Sequence, residues 1–395
     1  VSGTRAQRKT EARQRRRTAR RHAMAVAASA VVAVGAATGV ITAAVGEGER
    51  TTARPDTGVS PLLQPLPAVP TASPSPVTVS PSPSPRPSRT AGTRATPAPS
   101  EQPARAAAAS AGLYRHPESQ VLDWVRGHRD DPRRPLIESR IAAQPAAVWF
   151  AAYDPAAVTA QVRGVTSAAA AAGRTPVLVP YAIPDRDCGG ASEGGAPGLA
   201  AYDTWMGRFA EGLGSGPVIV ILEPDAIALS DCLSAGQRAA RFASLARAAR
   251  TLHAANPRAR VYFDGGHSGW HAAARQAAAL REAGAATSGD GIFTNVSNFH
   301  STADEAAYAR RVLTALGGPA RLGAVIDTSR NGNGAPQAGE WCDPAGRALG
   351  RTPTTKTGES RIDAYLWVKL PGESDGCKGA AGSFTPDYAY ALATG

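Results

Sequence analysis

Four aspartates, Asp187, Asp225, Asp264 and Asp375, each stand in or just past the end of an apolar run, in the stretches "YAIPDRDC", "LEPDA", "FDGGHSGW" and "KLPGESDGC". Two more polar clusters, "TNVSNFH" and "DTSRNGNG", come after two more such runs. One carboxylate in that place is ordinary, because Asp caps a following helix by accepting its free N–H groups. Polar clusters after six consecutive runs are more than capping requires. Carboxylates gathered in one cleft can divide the work of proton donor and proton acceptor, since surroundings decide which of them stays protonated. Trp149, Tyr181, Trp270 and Trp341 add aromatic faces of the kind that stack on the apolar faces of sugar rings. Acids and aromatics in a nearly neutral setting point to a neutral polymeric substrate, and paired carboxylates do the proton chemistry of glycosidic bond cleavage. No metal-ligand spacing and no glycine-rich phosphate fingerprint accompanies them, so neither metal nor cofactor is expected.

The elements that must position these groups are legible in the hydrophobic pattern. Runs rich in Val, Ile and Tyr occur at residues 147–153, 176–183, 217–223, 260–265, 291–296, 322–328 and 362–368. Ala-rich amphipathic stretches lie between most of them, at 155–173, 200–213, 234–255, 270–283 and 303–316. Short apolar strands alternating with helices make a parallel sheet, and seven strands favour an α/β barrel or near-barrel. Ligands of such folds bind at the carboxyl ends of the strands, where the polar clusters fall. Trp205, inside a helical stretch, and Trp124 read as packing residues.

The rest of the chain is organised differently. The formal net charge is +11, but residues 1–22 hold nine Arg/Lys against one Glu, and the chain from Ala111 onward is almost neutral. High pI therefore gives no reason to expect a nucleic-acid partner. Residues 23–46 carry no charge and adjoin the basic segment, the pattern of a signal peptide or a membrane anchor with its N-terminus in the cytoplasm. Residues 47–112 are rich in Pro, Ser and Thr, which favours an extended, disordered linker without a core. The catalytic unit is expected at residues 113–395, extracellular, either secreted or anchored, and monomeric. Its four cysteines, Cys188, Cys232, Cys342 and Cys377, form no C-x-x-C pair and read as two disulfides, for which the sequence permits three pairings.

The stretches "VPYAIPDRDCGGASEGGAP", "VIVILEPDAIAL", "VYFDGGHSGW", "TNVSNF", "VIDTSRNGNG", "EWCDP" and "PTTKTGESRIDAYLWVKLPGESDGC" closely resemble the family-6 glycoside hydrolases, cellulases that act on β-1,4-glucan. The resemblance covers about residues 113–395. It implies a distorted, TIM-like barrel of seven parallel strands and hydrolysis with inversion at the anomeric carbon. Asp225 then matches the general acid, and Asp187 the residue that raises its pKa and passes protons through water. Asp375 matches the proposed base; Asp187 is the rival endpoint of a water chain. Tyr181 matches the tyrosine that crowds the distorted sugar, and Ser192 the serine that holds the water. Asp264, His267, Asn295, Lys369 and Glu373 match substrate-contacting or electrostatic positions, with a structural hydrogen-bonding role the alternative for His267. Trp149, Trp270 and Trp341 match stacking platforms. The family's disulfides correspond to Cys188–Cys232 and Cys342–Cys377, each worth on the order of 4 kcal/mol by loop entropy.

Two departures bear on the mode of attack. Ala273 stands where cellobiohydrolases of the family tend to carry a second tryptophan, and the chain after Cys377 is too short for a long roofing loop. Both imply an open cleft and cleavage of internal bonds. The rivals are an exo-acting cellobiohydrolase of the same family and a catalytically silent, anchored glycan-binding protein.

Overall fold

Alternation within each apolar run decides how the sheet curls. In a computed structural model describing residues 112–395, apart from 191, 338 and 339, the seven strands are β1 (Val148–Phe150), β2 (Val177–Pro180), β3 (Val218–Leu222), β4 (Ala259–Asp264), β5 (Gly291–Thr294), β6 (Gly323–Asp327) and β7 (Ile362–Leu366). The basic segment 1–22, the apolar span 23–46 and nearly all of the linker 47–112 lie outside the described residues. Among the described residues no helix is long and apolar enough to cross a membrane.

All six neighbouring strand pairs are parallel, in the order β1 to β7. Successive side chains of a strand point to opposite faces, and each face here has its own core. Val177, Val179, Ile219, Ile221, Tyr262, Phe293, Val325, Ala364 and Leu366 meet in the barrel interior. Their neighbours Leu178, Val220, Phe263, Ile292 and Ile326 face outward to the helices. β1 and β7 share no ladder; the N–H of Ala147 donates to the carbonyl of Trp367 at 2.9 Å across that gap. The curled sheet therefore leaves its mouth narrowly parted at this seam.

The connecting helices match the amphipathic stretches: α2 (Val158–Ala171), α3 (Leu199–Glu211), α4 (Ala235–Ala255), α5 (Ala273–Glu282) and α6 (Thr302–Leu316). Ser234 opens α4 with a capping box to Gln237, and the Ser301 hydroxyl accepts from Asp304 N–H at the start of α6, each satisfying donors that a helix start leaves free. Trp205 is fully buried between α3 and its neighbours. Two further helices lie outside the expected Ala-rich stretches. α1 (Gln120–Gly127) and α7 (Pro386–Thr394) pack with Trp124, Ile137, Ile141 and Trp367 into a separate apolar cluster beside the β1–β7 seam.

Candidate active site

Backbone geometry marks the site before any side chain does. Among the described residues, nine other than glycine have positive φ, and all but Arg361 lie in loops beyond strand C-termini. They are Asp185, Asp187, Cys188, Glu223, Asp225, Asn295, Ser297 and Asp343. Left-handed backbone is costly for a residue with a Cβ and persists where surrounding bonds over-determine it. A cavity of about 1160 Å³ opens at this end of the barrel, with Trp149, Tyr181, Asp187, Asp225, Trp270 and Asp375 in its wall.

The loop after β3 carries Asp225. Its carboxyl reaches the cleft and makes no side-chain hydrogen bond to another described residue. Burial, then Asp264, then Asp187 push its pKa well above the ordinary carboxylate range, so it holds its proton near neutrality. Asp187 lies beyond β2, and its Oδ2 accepts from the Ser192 N–H at 2.7 Å. The carboxylate packs closely on Gly190, where a Cβ would lie 2.6 Å from the same oxygen and displace it. Ser192 thus meets Asp187 through its backbone, and its side chain is left for the cleft it lines. Tyr181 lies edge-on to Trp149 with ring centroids 5.3 Å apart, and the Arg186 guanidinium sits 4.5 Å from its centroid. Burial and the nearby Asp225 and Asp187 raise its phenol far above its usual range.

Asp375 has a different setting. Its Oδ2 accepts from Arg330 Nη1 at 2.7 Å and its Oδ1 lies 3.1 Å from Lys369 Nζ. Arg330 is wholly buried, stacks over Phe299 and also donates to Tyr388. Beneath the loop lies Asp343, whose carboxylate accepts from Ser374 Oγ at 2.5 Å and from the N–H groups of Asp375, Cys377 and Lys378 at 2.7, 3.0 and 2.9 Å. Glu373 accepts from Gln120 Nε2 at 2.7 Å, and burial pushes it up to about 7 against the pull of Lys369 and Gln120. Cys188 pairs with Cys232 and Cys342 with Cys377, so each disulfide braces a loop bearing one of these aspartates.

Not every expected residue reaches the cleft. Asp264 is buried, and its carboxylate accepts from Ile227, Ala228 and Gly266 N–H at 2.7–3.0 Å. Asn295 is fully buried, spending its amide on the backbone of His300 and Asp327. Neither lines the cleft wall, and their polar atoms already have protein partners, so of the two expected roles the sugar contact is not seen for either, while Asp264 acts electrostatically on Asp225. His267, Lys369, Glu373, Ser192, Trp149, Trp270 and Trp341 do line the wall, Trp341 with 59 % of its surface exposed. The Trp149 indole is pinned by a 2.7 Å bond from Nε1 to the Val368 carbonyl. Among the described residues no group of three or more His, Cys, Asp or Glu is placed to hold a metal ion.

Sequence reasoning misses Arg330, Asp343, Glu223 and Arg186, although each lies inside a polar cluster or the "EWCDP" stretch. Glu223 is fully buried; its two oxygens accept from Ala182 N–H at 3.0 and 2.9 Å, and one also from Ile183 N–H at 3.0 Å, fixing the backbone just past Tyr181. Burial pushes it up to about 7 despite those bonds.

Comparison with known sequences gives this arrangement a lineage. The profile described as glycosyl hydrolases family 6 matches residues 110–393. The chain belongs to that family. An endoglucanase 1 of Streptomyces sp. strain KSM-9 is 58% identical over 290 residues, 73% of this chain and 80% of that protein. Endoglucanase A of Thermobispora bispora is 48% identical over 305 residues, 77% of this chain and 66% of that one. Among solved structures, the endoglucanase Cel6 from Mycobacterium tuberculosis, in complex with a methyl-cellobiosyl-4-deoxy-4-thio-β-D-cellobioside, aligns at 42% identity with a TM-score of 0.67, over 72% of this chain and 97% of that one. As a family-6 glycosyl hydrolase, the chain keeps the parallel, curled barrel of these neighbours and places its carboxylates at the same end where such barrels bind ligands.

Proposed function

We propose that this family-6 enzyme is an endo-β-1,4-glucanase that hydrolyses internal bonds of cellulose or a related β-glucan with inversion. The observation that carries the reading is Asp225: a carboxyl in the cleft wall, without a side-chain partner, kept protonated by burial and two neighbouring aspartates. A protonated carboxyl free to donate is what the departing glycosidic oxygen needs. The attacking water comes from the opposite face of the sugar, so its proton must leave on the other side. Asp375 is one acceptor, paired with Arg330 and Lys369. Asp187, reached through water beside Ser192, is the other. Tyr181 crowds the sugar between them, while Trp149, Trp270 and Trp341 supply stacking faces and Lys369 and Glu373 polar contacts.

The open side of the cleft supports internal attack. Trp341 is more than half exposed, Ala273 begins α5 where a further platform would stand, and only residues 378–385 link Cys377 to α7. A segment of polymer can therefore enter sideways without threading an end. The two disulfides fit an oxidising compartment outside the cytoplasm, with the catalytic unit at residues 113–395 carried beyond the membrane by segment 23–46 and linker 47–112. The test is the viscosity of carboxymethylcellulose against reducing ends released. Steep viscosity loss at low conversion is expected; slow loss with cellobiose dominating from the first time point rejects the endo mode.

A further inference from the structure

The turn that ends β4 carries His267 and Trp270, both in the cleft wall, and behind them stands another histidine. The rings of His267 and His300 stack with centroids 4.4 Å apart and planes 20° from parallel, while His267 lies 5.3 Å from the Trp270 ring. The three rings form a continuous row, Trp270 tilted 38° to His267 and His300 half-buried at the other end. His300 is not itself part of the wall.

The backbone around His300 is fixed to an unusual degree for a loop residue. Its N–H donates to Asn295 Oδ1 at 3.1 Å, and its carbonyl accepts from Asn295 Nδ2 at 3.1 Å and Asn331 Nδ2 at 2.9 Å. Asn295 can make this clasp because it takes a left-handed φ of 68° at the end of β5, which turns the chain back on itself. On the other side the fit depends on Gly269: a Cβ there would lie 2.5 Å from His300 Cε1 and 2.9 Å from Nε2. Only glycine lets the imidazole press against the turn.

The polar state of His267 is set by the same contacts. Burial, then His300 and His271, push its pKa down to about 4, so the ring is neutral across the neutral range. Its Nδ1 faces the Gly269 N–H at 3.2 Å and must accept, which assigns the proton to Nε2. No described residue bonds that Nε2, leaving it as a donor for a ligand in the cleft.

We propose that His300 is a positioning residue: its ring, clasped by Asn295 and Asn331, backs His267 and so fixes the plane of the His267–Trp270 sugar platform. The role asked of His300 is a flat neutral face, not a proton or a hydrogen bond. It rests on the glucanase reading above, because the platform is a sugar platform only there.

Three forms of the full chain separate the possibilities: unmodified, His300→Ala and His300→Phe, assayed on soluble cello-oligosaccharides. Loss of a backing ring costs roughly three- to ten-fold in binding, and a contact made equally in ground and transition states appears in KM alone. His300→Ala is therefore expected to raise KM by that factor with kcat changed less than twofold, and His300→Phe to restore KM to within about twofold. A fall in kcat at unchanged KM, or a His300→Phe protein as impaired as His300→Ala, overturns the proposal. The same comparison is made by calorimetric binding of cellotetraose in an Asp225→Asn background, where no turnover intervenes. Equal affinity with and without His300→Ala there also overturns it. Absence of any binding or cleavage by the unmodified protein defeats the glucanase reading instead.

Discussion

Asp343 and Asp375 hold each other in both directions. The Asp375 N–H donates to Asp343 Oδ1 at 2.7 Å, and the Asp343 N–H donates back to Asp375 Oδ2 at 3.2 Å. Asp343 sits at a φ of 46°, next to the cysteine bonded to Cys377. Covalent and hydrogen-bonded links therefore join the loop of Trp341 to the loop of Asp375 and Glu373.

Removing that hub has a defined consequence. Asp343→Ala strands the Ser374 hydroxyl and the N–H groups of Asp375, Cys377 and Lys378, though water reaches the exposed end of the loop. A loss of about 2–4 kcal/mol is expected, which lowers the melting temperature by roughly 3–7 °C in a domain of this size. Calorimetry checks this, with peptide mapping to show the disulfide intact. A melting temperature within a degree of the unmodified protein rules the hub out.

Asp225→Asn is expected to fold normally and to lose roughly 10²–10⁴-fold in the hydrolysis of cello-oligosaccharides, the usual contribution of a positioned general acid. An aryl cellobioside with a good leaving group needs little protonation and should lose far less. Equal losses on both substrates would remove Asp225 from the acid role.

The same substitution carries a signature in stability. The folded pKa of Asp225 is raised above its unfolded value, so the folded state binds the proton more tightly. That advantage is complete below the unfolded value near 4 and is lost as pH rises toward the folded one. The amide does not titrate. The melting temperature of the unmodified protein relative to Asp225→Asn should therefore fall steadily from about pH 4 to about pH 8. A difference independent of pH would contradict the raised pKa.

Inversion releases an α-anomer from a β-bond, because the water attacks opposite the departing oxygen. Proton NMR taken within minutes of adding enzyme to cellopentaose should show the α-anomer in excess before mutarotation. A first product in the β-configuration would overturn the mechanism while leaving the substrate class standing.

The hydrophobic pattern alone determined the strands and five of the helices of this protein. Strand alternation and helical periodicity are local, and the polar clusters sit where each run stops. The pattern could not separate the fates of the carboxylates. Asp225 and Asp264 look alike in sequence, yet one faces the cleft without a partner and the other is spent on three backbone N–H groups. Asn295 has the sequence setting of a ligand contact and is in the fold a clasp on His300. Arg330 meets Asp375 across 45 residues, and Gln120 meets Glu373 across 253. α1 and α7 fall outside the Ala-rich stretches; both are short and draw their stability from packing with Trp367 in one apolar cluster. A carboxylate's role depends on how much water it keeps and which charges face it. Both come from chain segments remote in sequence, so only the folded barrel decides them.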